Sequence, residues 1–187
     1  MSAAAKPAGE VSAYRSAERL RDGRPLTIRA LQPRDREALL EAFGRTGDAS
    51  RYTRFFSPKR AFTDREIDFF VRVDFKSHVA LVAELQEGGL RVIAGGGRYI
   101  VDRPDSAEVA FMVDDAHQGL GIGSLLMRHL VACARAAGLK TLVAEVLPGN
   151  VAMLKVFERA GLDVKTRREG GVLHLDMGLA PAKGNAS

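Results

Sequence analysis

Three glycines at alternate positions, Gly119, Gly121 and Gly123, lie in the run from Gln118 to Ser124. The apolar stretch from Glu108 to Val113 precedes them, and an amphipathic stretch follows. This reads as strand, glycine-rich loop, helix. The first amides of a helix have no acceptor within it, and with the positive end of the helix dipole they form a site for anions. Glycine omits the Cβ that would keep a phosphate oxygen away from the main chain. The chemistry implied is main-chain binding of a phosphorylated ligand. Two other readings of such a loop are a tight turn with no ligand, and a dinucleotide fold in which Glu145 would meet a ribose. The spacing here is G-x-G-x-G, whereas the dinucleotide fingerprint is G-x-G-x-x-G. The residues Asp114, Asp115, Ala116 and His117 also separate strand from loop, and the loop comes too late in the chain for six parallel strands.

The elements that must position this loop follow from apolar periodicity. Strands are expected at Leu26–Leu31, Val79–Leu85, Leu90–Tyr99, Glu108–Val113 and Thr141–Leu147, with a closing hairpin of Leu162–Arg168 and Val172–Leu179. Helices are expected from Pro33 to Phe43, from Thr63, from Ser124 to Ala137 and from Asn150 to Ala160. Thr63 with Glu66 fits a capping box, and Gly138 and Gly161 fit helix stops. Gly44 to Ser57 reads as a turn-rich connection. Gly95, Gly96 and Gly97 inside a strand pattern mark a bulge or a close backbone approach. The order is β–α–α–β–β–β–α–β–α–β–β, an α/β mixed sheet with helices on both faces.

Length and composition bound the rest. The 187 residues suffice for one well-cored domain. We expect residues 1–20 to be a disordered leader, 21–180 the domain and 181–187 a flexible tail. No apolar signal core opens the chain, and the single cysteine, Cys133, suits a reducing compartment, so the cytoplasm is expected. The net charge of +5 is scattered, without a Lys/Arg stripe interleaved with aromatics, which argues against nucleic acid as a partner. His78, His129 and His174 lack metal-ligand spacing, and no metal is expected. His117 reads as an exposed loop residue, and Asn150 as a helix N-cap, a ligand contact, or both.

The pattern Gln118-x-x-Gly121-x-Gly123 after a Phe111-x-Val113 strand resembles the acyl-CoA signature of the GNAT superfamily of N-acetyltransferases, Q/R-x-x-G-x-G/A. Asn150-x-Ala152-Met153-Leu154 with Gly161 downstream resembles the family's second signature. The resemblance runs from about Leu26 to Leu179. It implies a single-domain GNAT-like fold, a mixed and mostly antiparallel sheet with a splayed strand pair at the cofactor. It implies acetyl-CoA as acyl donor, held by Phe111, Met112, Val113, Gln118, Gly119, Leu120, Gly121, Ile122, Gly123, Ser124 and Asn150. By the same resemblance the Phe111 amide would stabilise the oxyanion, and Val113 would pair with the pantetheine arm.

Ser50 to Phe56 and the strand Ala107–Phe111 resemble the catalytic domain of bacterial protein-lysine acetyltransferases. Such domains are often fused to a regulatory one, and the catalytic domain alone is expected here. This implies Glu108 as general base, directly or through a water, and a protein lysine as acceptor. Many relatives carry a tyrosine acid where Phe157 stands, so no side chain is assigned to protonate the thiolate. Arg45 to Arg60, rich in arginine and aromatics, is expected to meet the acceptor. A small-molecule amine, or a CoA-binding regulatory module without catalysis, remain the alternatives.

Overall fold

In the computed structural model, which describes residues 8–180, the apolar segments join one eight-stranded sheet. The strands are β1 (Arg15–Arg19), β2 (Pro25–Ala30), β3 (His78–Glu87), β4 (Leu90–Arg103), β5 (Ser106–Val113), β6 (Thr141–Val146), β7 (Asp163–Glu169) and β8 (Val172–Gly178). Their spatial order is β1-β2-β3-β4-β5-β6-β8-β7. All neighbours are antiparallel except β5 and β6, which run parallel. Five helices cover it: α1 (Arg36–Arg45), α2 (Asp48–Phe55), α3 (Asp64–Val71), α4 (Ile122–Ala136) and α5 (Val151–Glu158). The larger core lies under α4 and α5, where Phe111, Leu126, Leu130, Leu142 and Phe157 are buried. A smaller one, of Leu31, Ala42, Ala80, Val82 and Ile93, lies under α1 on the opposite face. The expected mixed sheet with helices on both faces is what forms.

Two expectations need correction. The presumed leader is ordered from Ala8: residues Ala8–Ala13 make a short 3-10 helix, and β1 extends the sheet beside β2. The sequence Arg-Ser-Ala-Glu-Arg carries no apolar alternation, because β1 is an edge strand held by its ladder. Its anchors flank it, with Val11 and Leu20 both buried. Residues 1–7 and the expected tail, 181–187, lie outside the described residues. The second correction is α2, which forms inside the segment read as a connection. Its eight residues bury no side chain fully, so no apolar stripe announced it. Phe56, in the left-handed conformation at φ 53°, ends it.

The glycine run in β4 is a close approach. Ala83 pairs with Gly95 and Glu84 with Ile93, so Ala94 is the extra residue of a bulge. A Cβ on Gly97 would stand 2.6 Å from Phe111 Cδ1, and one on Gly95 would stand 2.9 Å from the Met112 carbonyl oxygen. Gly97 lets Phe111 lie across β4, and Gly95 lets β4 approach the Met112 carbonyl and Ile122. Gly96 faces away from that contact, and its Cβ would meet nothing nearer than the Leu81 carbonyl oxygen at 3.4 Å. Gly97→Ala is therefore expected to destabilise the fold by about 1–3 kcal/mol through overpacking, read as a lowered urea midpoint. Gly96→Ala should be close to silent in the same experiment, and equal losses would refute this account.

Candidate active site

The site begins where the sheet opens. β5 and β6 pair only at Ser106–Thr141, Ala107–Leu142 and Glu108–Val143. Beyond Glu108, β5 follows β4 to Val113, while β6 follows β8 to Val146. The Val113 carbonyl accepts from Gln118 Nε2 at 3.3 Å, and the next amide, Asp114 N–H, donates to Ala94 of β4 at 3.0 Å. Val113 therefore points its polar groups into the gap. With the two-residue period of a strand, so does Phe111. The gap widens into a cleft of about 600 Å³. Its walls include Glu108, Phe111, Met112, Val113, Gln118, Gly119, Gly121, Ile122, Gly123, Ser124 and Asn150. One expected residue is missing: Leu120 turns its side chain onto the main core, and the loop there contributes backbone only.

At one end of the cleft the glycine loop feeds α4. Gly119 and Gly121 have φ of 77° and 92°, the left-handed region that favours glycine. Gly121 is the N-cap of α4, so the first free amides of a 15-residue helix face the cleft. Gly123 lines the cleft and has a packing task as well. A Cβ there would meet Val156 Cγ2 at 3.2 Å, so this glycine brings α4 close to α5. Arg21, from the turn between β1 and β2, braces the loop: its main-chain N–H donates to the Leu120 carbonyl at 3.1 Å, and Nη1 to the Gly119 carbonyl at 3.2 Å. With Lys155 of α5 and Arg159 just after it, Arg21 lines the cleft and adds positive charge to its wall. Sequence reading missed Arg21, since nothing in a basic cluster marks which arginine a turn will carry across to a distant loop.

The linker between β5 and α4 is pinned by charge. Asp114 is buried, pairing with Arg45 Nε at 3.0 Å and with His117 Nδ1 at 2.6 Å. His117 was expected to be exposed. A 3-10 turn, Asp115–His117, instead folds its ring inward, where Nε2 donates to Glu87 at 2.9 Å. Two carboxylate acceptors require both ring N–H groups, hence an imidazolium. Burial opposes that charge, but the bonds to Glu87 and Asp114 outweigh it and raise His117 above its ordinary 6.5. A raised folded pKa stabilises below the unfolded value, and that stability is lost as pH rises through the folded value. Urea unfolding from pH 6 upward should thus show a falling component in the wild type that His117→Gln lacks. Parallel pH profiles would remove the imidazolium from this role.

At the other end, Glu108 is exposed on the cleft wall, at the last β5–β6 pair. Asn150 caps α5, its Oδ1 accepting from Met153 N–H at 3.2 Å, and its side chain borders the cleft as well. Phe157 is buried beneath, its ring 6.0 Å from that of Phe111. Glu145 of β6, unassigned from sequence, also lines the cleft and lies 3.3 Å from His174 Nδ1.

Several cations of the Arg45–Arg60 segment, which is expected to meet the acceptor, are engaged within the fold. Arg45 is spent on Asp114. Arg51 stacks on Phe43 at 4.9 Å and donates to the Arg60 carbonyl. Lys59 pairs with Glu66 at 2.6 Å over the Phe62 ring. Phe55 joins Phe43, Phe62 and Phe70 in an aromatic cluster. Arg54 alone of these cations turns into the cleft.

Comparison with known proteins agrees with this geometry. The family model for the acetyltransferase (GNAT) domain matches residues 25–163. Acetyltransferase Pat of Mycolicibacterium smegmatis is 32% identical over 164 residues, covering 87% of this chain but 48% of its own length. An acetyltransferase of Pseudomonas aeruginosa is 32% identical over 137 residues, covering 73% of this chain and 74% of its own. The crystal structure of the GNAT domain of S. lividans PAT superposes with a TM-score of 0.79 at 36% identity, covering 88% of this chain and 96% of that one. The chain thus spans about half the length of the mycobacterial relative.

Proposed function

The chain belongs to the GNAT acetyltransferase family, and from that premise we propose that it transfers the acetyl group of acetyl-CoA to an amine, with a protein lysine as the favoured acceptor. The single observation that carries the reading is the opened sheet. β5 turns the main-chain groups of Phe111 and Val113 away from β4 into the gap, and the Gly119–Gly123 loop offers helix amides at the end of the same cleft. A pyrophosphate suits the α4 terminus, where the left-handed Gly121 leaves its backbone uncovered and Arg21, Lys155 and Arg159 supply cations. Val113 would pair with a pantetheine amide as one strand pairs with another. The Phe111 amide would polarise the thioester carbonyl and hold its oxyanion.

Glu108 takes the proton from the ammonium, directly or through a water, the free amine attacks the thioester carbon, and the nitrogen of the adduct gives its surplus proton to solvent. Collapse breaks the C–S bond. The buried Phe157 carries no acidic proton, so the thiolate takes its proton from solvent. The lysine preference rests on the resemblance of Ser50–Phe56 and Ala107–Phe111 to protein-lysine acetyltransferases, together with the likeness to Pat. A reducing cytoplasm fits the one cysteine, Cys133, which burial pushes up to about 11 and leaves unreactive. Among the described residues no helix is long and apolar enough to cross a membrane.

A second reading, a small-molecule amine as acceptor, has its own support. Glu108 and Glu145 bring two carboxylates to one cleft, while the arginines of 45–60 are mostly engaged internally. One experiment separates the readings: the pure chain with labelled acetyl-CoA, offered a cell lysate and a panel of small amines. Acetyl-lysine on native proteins supports the first, and label confined to small amines supports the second. No thiol release with any acceptor would overturn both.

A further inference from the structure

A second, smaller cavity of about 60 Å³ lies between the sheet and the α1–α3 layer. It meets the main cleft at Arg54, Ala110, Phe111 and Met112, which line both. Arg98 of β4 lies inside it, directly opposite Ala110 in the ladder. Its guanidinium stacks on Phe70 at 4.1 Å, donates to the Phe70 carbonyl at 3.3 Å and lies 2.9 Å from His78 Nε2. All these partners are neutral, since His78 must offer a lone pair to Arg98, and burial with the nearby Arg98 charge pushes its imidazole down to about 4. No carboxylate of the described residues lies within 4 Å of either Arg98 or Arg54. The acid on the cavity wall, Asp114, is taken by Arg45 and His117. Glu108 acts on Arg54 only across a longer gap. Burial and the mutual repulsion of the two guanidiniums depress Arg98 to about 9, and burial lowers Arg54 as well.

Two half-buried cations without a close counter-charge at a half-enclosed cavity favour a ligand that supplies the anion. The size says which part of a ligand fits. At roughly 10–15 Å³ per water-sized atom, the cavity takes about four to six non-hydrogen atoms, room for a carboxymethyl or carboxyethyl group. The target lysine is excluded, because its ammonium would face two arginines. A peptide main chain is too bulky. What reaches this point from the thioester position at Phe111 is a thin extension of the acyl group. We propose that this cavity is an acyl-tail site, and that the chain accepts acyl-CoA donors whose short acyl group ends in a carboxylate, of the malonyl and succinyl class. This rests on the acyltransferase reading above. Transfer follows the same course: one proton passes from the ammonium to Glu108, the amine nitrogen bonds to the thioester carbon and gives its surplus proton to solvent, the C–S bond breaks, and solvent returns one proton to the thiolate. The tail carboxylate keeps its charge, held by Arg98 and Arg54.

The test compares succinyl-CoA with butyryl-CoA, equal in chain length but neutral at the tail, by calorimetry on the full chain, with acetyl-CoA as reference. The wild type should bind succinyl-CoA about 10- to 100-fold more tightly, the worth of a charged hydrogen-bond pair. That preference should vanish in Arg98→Met, with acetyl-CoA affinity unchanged. Should Arg98→Met fail to fold, Gly96→Val keeps Arg98 and fills the cavity from a position where a Cβ meets nothing nearer than 3.4 Å. It should lose the same preference. Butyryl-CoA binding as well as succinyl-CoA in the wild type, or a preference that survives these changes, overturns the proposal. Failure to bind acetyl-CoA at all would strike the acyltransferase reading instead.

Discussion

Glu108→Gln is expected to slow acetyl transfer by about 10²–10⁴-fold, the usual range for loss of a general base. Acetyl-CoA affinity should hold, because Glu108 lies at the end of the cleft away from the glycine loop. The amide keeps the size and hydrogen-bonding capacity of the carboxylate and removes only its basicity. Glu108 is exposed on the wall and makes no ion pair within 4 Å among the described residues, so no structural bond is lost with it. This separates a chemical loss from a folding loss. The measurement is single-turnover transfer beside a binding isotherm. Near-full turnover at neutral pH would pass the proton to Glu145 or to solvent, and the double variant with Glu145→Gln would tell these apart.

Gly121→Val is expected to weaken acetyl-CoA by at least about 100-fold, equivalent to losing two hydrogen bonds to a charged phosphate. Two causes act together. At φ 92° any β-branched residue is strained, so the loop would leave the conformation that aims its amides. The new side chain would also press on Arg21, whose Cγ and Nε lie 3.4 Å from where its Cβ would stand. Calorimetry on a variant with an unchanged melting profile is the check, and unchanged affinity would remove the loop from phosphate binding. Gly123→Val is a poorer probe. Its Cβ meets Val156 and loosens α4 from α5, so lost binding there would report on packing.

The parts legible in the sequence were those with local causes. A glycine loop at a helix start, the Thr63–Glu66 capping box and the apolar runs of β3 to β6 each depend on near neighbours, and each formed as expected. What stayed hidden depends on distant partners. β1 has no apolar signature because its ladder to β2 does the holding. His117 looked like a loop residue until Asp114 and Glu87 closed on it from either side. The cations from Arg45 to Lys59 read as a binding surface, yet most sit against phenylalanines or acids that the fold supplies. Arg98 gave no sign at all, since its isolation from carboxylates is a property of the packed cavity.

The short parallel seam between β5 and β6 has a mechanical meaning. Among the described residues, three residue pairs are the only ladder joining a five-stranded panel, β1 to β5, to a three-stranded one, β6 with β8 and β7. Across the rest of that boundary the sheet is a wedge with its apex at Glu108. A donor bound as proposed would lie in the wedge with β5 on one side and α5 on the other, and so serve as the missing strand. It acts as a keystone whose removal leaves two panels meeting at a short hinge. Saturating it at a hundredfold above its dissociation constant would add about 2.7 kcal/mol against unfolding. On the proposed function, the acyl donor would be a structural element in every cycle, replaced each time thiol leaves and a fresh thioester enters.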